Sequence, residues 1–170
     1  MSVPASHSPD FIRYVAKTYK DDFNGYREDI LGMKPAEWQN RVGDSLQKNK
    51  RTAVSSGHGI GKTGLGAAAI HWFLATRPRP AIIATANTEN QLKGKLWREL
   101  AKINVHAKNK EWFEWKTMSF TMFGDVTSQA VALPWSDSNP DAFQGTHEDH
   151  VLGLFDEGSS IPRSIWNAFA

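Results

Sequence analysis

The run SSGHGIGKTG at residues 55–64 sets three glycines within five positions and places a lysine and a threonine directly behind the last of them. Glycine loses more conformational entropy on ordering than any other residue, so such a cluster needs a return that side chains cannot give. That return is backbone. A turn of bare N–H groups leading into a helix N-terminus concentrates partial positive charge at one point and favours phosphate there. Behind such a turn, Lys62 would reach the outer phosphates of a nucleotide, and the Thr63 hydroxyl would be a ligand of Mg²⁺. The anion would be held by Ser56, Gly57, His58, Gly59, Ile60 and Gly61 together with Lys62 and Thr63. The pattern G-x-x-x-x-G-K-[ST] asks for glycine six residues before the lysine; this chain has Ser56 there, with Gly57 beside it. The plainer alternative is an ordinary glycine-rich turn.

A second group with chemistry is the carboxylate pair at the end of HVLGLFDE, residues 150–157. In a nucleoside triphosphatase two acids at a strand end have separable jobs: Asp156 would hold Mg²⁺, and Glu157 would orient and polarise the attacking water. Two acids at that place also suit the start of a helix. Gln39 lies upstream of the loop, where its amide would read a base, although a helical glutamine is often merely exposed. The seven Trp read as core residues before base-stacking platforms. His147 and His150 are three apart with no third ligand in view, so no zinc site is expected.

These groups need elements to hold them. RTAVSS, residues 51–56, is a short β-leaning run that would lead into the loop, and TGLGAAAIHWFLATRP would follow as a helix ending before Pro78. PAIIATA, residues 80–86, is continuously apolar, as a strand buried on both faces is. TENQLKGKLWRELAKI spaces Leu92, Leu96, Leu100 and Ile103 as a helix does. Strand and helix in alternation imply a parallel sheet. SFTMF and QAVAL around GDVTS predict a hairpin, HVLGLF another buried strand, and PRSIWNAF a short helix. Upstream, Pro35 opens a helix through Trp38, Val42 and Leu46, and residues 9–31 read as helical and peripheral. The chain then divides into a helical segment at 1–34 and an α/β domain at 35–170. No closing signal precedes Ala170, where a doubly wound domain would continue, so the domain is expected to be partial.

A chain of 170 residues supports one core. Hydrophobic residues at 40% and charged ones at 22% describe a globular protein and exclude a disordered or fibrous one. Without cysteine there is no disulfide framework. No stretch reaches the roughly 18 apolar residues of a membrane span, and MSVPASHSPDFIRY has no signal-peptide core, so a soluble intracellular protein is expected. A net charge of +2 is too small to argue for nucleic acid by itself.

Taken together, WQ at 38–39, SGHGIGKT, ATANTENQLKGKLWREL and FQGTHEDHVLGLFDEGSSIPRSIW resemble the N-terminal ATPase region of the terminase large subunit of tailed bacteriophages or prophages. The resemblance implies a RecA-like P-loop fold of the ASCE class: a mostly parallel sheet flanked by helices. It implies a motor that binds ATP and Mg²⁺ and couples hydrolysis to DNA packaging. Lys62 and Thr63 would bind phosphate and Mg²⁺, Asp156 would be the Walker B acid, Glu157 the catalytic glutamate and Gln39 the adenine reader. Many members carry arginine four positions before the loop lysine, where this chain has His58. The implied partners are double-stranded DNA, a portal protein, a small terminase subunit and further copies in a ring, in the cytoplasm of a bacterial host. A coupling motif and a C-terminal nuclease domain are also implied and are not visible in these residues. Two alternatives stay open: a helicase-like DNA translocase fragment, and a truncated remnant that only binds nucleotide or a partner.

Overall fold

A computed structural model describes residues 8–57, 59–135 and 148–168. The first helix, α1 (Pro9–Tyr19), opens on Ser8, whose hydroxyl accepts the Phe11 N–H at 3.1 Å, with proline in the first turn where no donor is needed. Asp22 caps α2 (Phe23–Asp29) in the same way through the Gly25 N–H at 2.8 Å. Helix α3 (Glu37–Lys48) begins two residues after Pro35, and α4 (Lys62–Thr76) follows the glycine loop.

Helix α4 is apolar on all sides because it is covered on two. Leu65, Ala68, Ala69, Trp72 and Ala75 pack with Phe11, Val15, Tyr19, Phe23 and Tyr26 of α1 and α2. Ala67, Ile70 and Leu74 face the sheet side with Ile82, Ala84, Leu96 and Leu100. Residues 9–29 are therefore helical but less peripheral than their sequence suggested: the aromatic side chains of α1 and α2 cover one face of α4.

The sheet holds β1 (Pro80–Thr85), β2 (Phe113–Trp115), β3 (Ser119–Met122), β4 (Asp125–Ala132) and β5 (His150–Phe155), in the order β2-β3-β4-β1-β5. Strands β4 and β5 flank β1 in parallel, whereas β2, β3 and β4 form an antiparallel meander. The fold is thus mixed α/β, and the expected parallel sheet makes up only half of it. Every residue of β1 is buried, since Ile82 and Ala84 look toward α4 while Ile83 meets Ile161 and Ile165 on the other face. Ile165 belongs to the short helix α7 (Arg163–Ala168).

Two further expectations are corrected. Residues 51–57 form no strand: most of them are exposed, and the sheet's edges are β2 and β5, neither of which pairs with them. A strand without a neighbour has no ladder to repay its ordering. Strand β5, read as buried, is half-buried at the sheet edge, with Val151 40% exposed. The helical stretch between β1 and β2 is built from α5 (Glu89–Gln91), a π-helical turn (Leu92–Trp97) and α6 (Arg98–His106).

Candidate functional site

The loop lysine is ordered by its own turn. Lys62 Nζ donates to the carbonyls of Ser56 at 2.8 Å and Gly57 at 2.7 Å, so its side chain crosses back over the loop that precedes it. Gly59 and Gly61 hold φ of +77° and +95°, conformations that a Cβ disfavours, which is the local reason for glycine at these two places. A Cβ at Gly57, Gly59 or Gly64 would meet nothing within 4 Å. Helix α4 starts at Gly61 with no side-chain cap, leaving its leading N–H groups to solvent or a ligand. Thr63 sits half-buried in the first turn, Ile60 is exposed, and His58 lies outside the described residues. A polyphosphate fits this donor set: bare amides at a helix start, one ammonium and one hydroxyl.

Gln39 meets the loop from α3. Its Oε1 accepts the Ala36 N–H at 3.0 Å, closing the helix start, and its Nε2 stands where a Cβ on Gly61 would approach to 3.1 Å. Beside it runs a groove of about 470 Å³ lined by Trp38, Arg41, Val42, Val54, Ser56 and Ile60. Gln39 itself does not line this groove, and Trp38 and Arg41 were not anticipated from the sequence as its walls. The helical spacing of 38, 41, 42 and 45 was the available signal.

The acids come from the end of β5, the outer strand of the sheet's parallel part. Asp156 extends the β5 ladder, its N–H donating to Thr85 O at 2.9 Å, and is half-buried. Glu157 is exposed with φ +56° and ψ 44°, the left-handed region. Its carboxylate takes a hydrogen bond from Gln91 Nε2 at 3.0 Å and has Lys95 Nζ at 3.7 Å. Neither partner was anticipated from the sequence.

What relates loop to acids is the packing of α4 on β5. A Cβ on Gly66 would lie 3.0 Å from Leu154 Cδ1, so one turn after Lys62 the helix backbone closes on the residue two before Asp156. The ends of β4, β1 and β5 gather at the same edge. Leu133 N donates to Ala84 O at 2.9 Å, and the Trp135 indole N–H reaches Asn87 Oδ1 at 2.8 Å. In open α/β sheets this carboxyl edge is where ligands bind.

Comparison with known proteins bears on what this edge serves. The chain is similar to the probable terminase large subunit of Enterobacteria phage P7. Identity is 26% over 161 residues, covering 88% of this chain and 32% of the phage P7 protein. The likeness seen in separate motif blocks thus extends along most of the sequence, while the chain spans about a third of that terminase subunit's length. No family model and no solved structure matches the chain. Among the described residues no group of three or more His, Asp or Glu is placed to hold a metal ion, and no helix is long and apolar enough to cross a membrane.

Proposed function

We propose that this chain is the ATP-binding and ATP-hydrolysing part of a terminase large subunit, with a P-loop NTPase core of the RecA-like kind. The observation that carries the reading is the contact of Gly66 with Leu154, which sets the start of α4 and the end of β5 at one edge of the sheet. The similarity to the phage P7 protein supports it independently.

Each residue then has a task. The loop amides from Ser56 to Gly61, His58 among them, cradle the phosphates of ATP, and Lys62 leaves the carbonyls of Ser56 and Gly57 to neutralise the outer ones. Thr63 and Asp156 are the residues that would hold Mg²⁺, which supplies charge neutralisation across the phosphate oxygens. Glu157 orients and polarises the attacking water. Gln39 and the Trp38 groove receive the base. Double-stranded DNA would be the load, with portal protein, small terminase subunit and further copies in a ring as partners, in the cytoplasm of a bacterial host.

A transition-state arginine is worth roughly 10³- to 10⁵-fold in phosphoryl transfer, and the loop offers His58 at the place where terminases often carry arginine. The chain alone is therefore expected to bind Mg·ATP and to hydrolyse it slowly. Equilibrium titration with a fluorescent ATP analogue provides the test. Lys62→Ala should abolish binding, and Glu157→Gln should retain binding while losing most of the residual turnover. Equal affinity in wild type and Lys62→Ala would refute the loop assignment.

A further inference from the structure

Gln91 and Glu157 are 66 residues apart in the chain and meet because β1 and β5 are parallel neighbours. Segments that follow parallel neighbours leave the sheet at the same end. The β1 segment turns at once into a helix, where Thr88 Oγ1 caps the Gln91 N–H at 3.2 Å and so fixes the backbone from which the Gln91 side chain projects. From there Nε2 donates to Glu157 Oε2 at 3.0 Å. The other end of the amide, Oε1, is buried with no hydrogen-bond partner. Turning the amide over would bring that oxygen against a carboxylate, two acceptors face to face, so the nitrogen is held toward Glu157. Lys95, one turn further along, faces the second carboxylate oxygen at 3.7 Å.

We infer that Gln91, seconded by Lys95, is a positioning residue that sets the carboxylate of Glu157 at the angle its work on the attacking water requires; the inference rests on the function proposed above. Glu157 needs such a brace. Its side chain is 45% exposed on a left-handed turn, so water competes for its oxygens. A base that is not itself oriented loses much of its value, and displacement by about 1 Å can cost on the order of 10²-fold. The brace also links hydrolysis to the π-helical turn at Leu92–Trp97, an irregularity that is frequent at functional sites.

Four forms of the chain decide the matter: wild type, Gln91→Leu, Glu157→Gln and the double variant. Gln91→Leu should keep its affinity for the fluorescent ATP analogue within about twofold, yet lower single-turnover hydrolysis roughly 10- to 100-fold. The double variant should be no slower than Glu157→Gln, since one residue acts through the other. Wild-type turnover in Gln91→Leu, losses that multiply, or a collapse of nucleotide affinity would each overturn the inference. A second readout is independent of turnover: the Gln91 side-chain amide resonance, assigned as the one lost in Gln91→Leu, should move on Glu157→Gln. An unmoved resonance overturns the brace. If wild type fails to bind nucleotide at all, the proposed function falls, and the amide resonance still decides whether the pair exists.

Discussion

His71 is a titratable residue strongly altered by its surroundings. It is fully buried in α4, between the Tyr26 hydroxyl at 2.8 Å on Nδ1 and Asn104 Oδ1 at 3.1 Å on Nε2. Because Asn104 offers an oxygen, Nε2 carries the proton and Nδ1 accepts from Tyr26, whose own oxygen accepts from Asn109 Nδ2 at 3.1 Å. That arrangement suits the neutral ring, and burial pulls the imidazole pKa from 6.5 down to about 4. The sign of the consequence follows. Below pH 6.5 the unfolded chain takes up a proton that the folded chain refuses until about pH 4, so stability is complete above that window and falls as pH falls through it. From pH 7.5 to pH 5.0 the loss should be about 2 kcal/mol in urea unfolding. His71→Phe should flatten the dependence over that interval while lowering stability at both pH values, because it strips partners from Tyr26 and Asn104.

Between elements, the contact of α2 with α3 turns on Gly43. A Cβ there would collide with Asn24 Oδ1 and lie 3.0 Å from Phe23 Cδ1. Asn24 has little freedom to yield: its Nδ2 donates to Asn40 O at 3.1 Å and Asp44 Oδ1 at 2.8 Å, and its Oδ1 accepts from the buried Arg27 guanidinium. Alanine would gain up to about 1 kcal/mol of helix propensity over glycine. Against that stand overpacking, worth about 1–3 kcal/mol, and the loss of hydrogen bonds to a buried charge. Gly43→Ala should therefore destabilise by about 1–2 kcal/mol in thermal or urea melts. A gain in stability would mean that α2 and α3 separate freely. This seam also marks where sequence reading runs out. Helix α4, strand β1, the hairpin of β3 with β4 and the helical run after Thr88 are local patterns, and each was legible from apolar spacing and from Gly, Pro and Asn punctuation. An apolar run such as HVLGLF declares that both faces of a strand suit burial but not whether a neighbour lies along each edge, so the half-exposure of β5 was hidden. RTAVSS failed for the same reason: β-propensity is local and pairing is not. At the site, the glycines, lysine and acids announce their types, whereas Gln91 and Lys95 on Glu157 depend on which strands are adjacent.

At the scale of the whole molecule, α4 lies between two clusters of buried residues, and this decides what residues 8–33 are for. Among the described residues, Phe11, Val15, Tyr19, Phe23, Tyr26, Ile30 and Leu31 supply half of the fourteen buried residues in the core that covers the outer face of α4. Polar ties reinforce them: Trp72 Nε1 donates to Tyr19 O at 2.6 Å, and Lys108 N to Ile30 O at 3.0 Å. Burying one large apolar side chain is worth about 1.5–3 kcal/mol, so this set contributes more than about 10 kcal/mol before ordering entropy is charged against it, and whole domains are stable by only about 5–15 kcal/mol. Deleting residues 1–33 removes that cover and its entropy together, but leaves Leu65, Trp72 and Trp112 facing water with Tyr26 gone from His71. The truncated chain should lose its cooperative melt and near-ultraviolet circular dichroism and bind a hydrophobic dye. Since Lys62 begins the same helix, nucleotide affinity should disappear with them. A sharp melting transition in the truncated chain, with the ATP analogue still bound, would show that the helical segment only decorates a domain that stands without it.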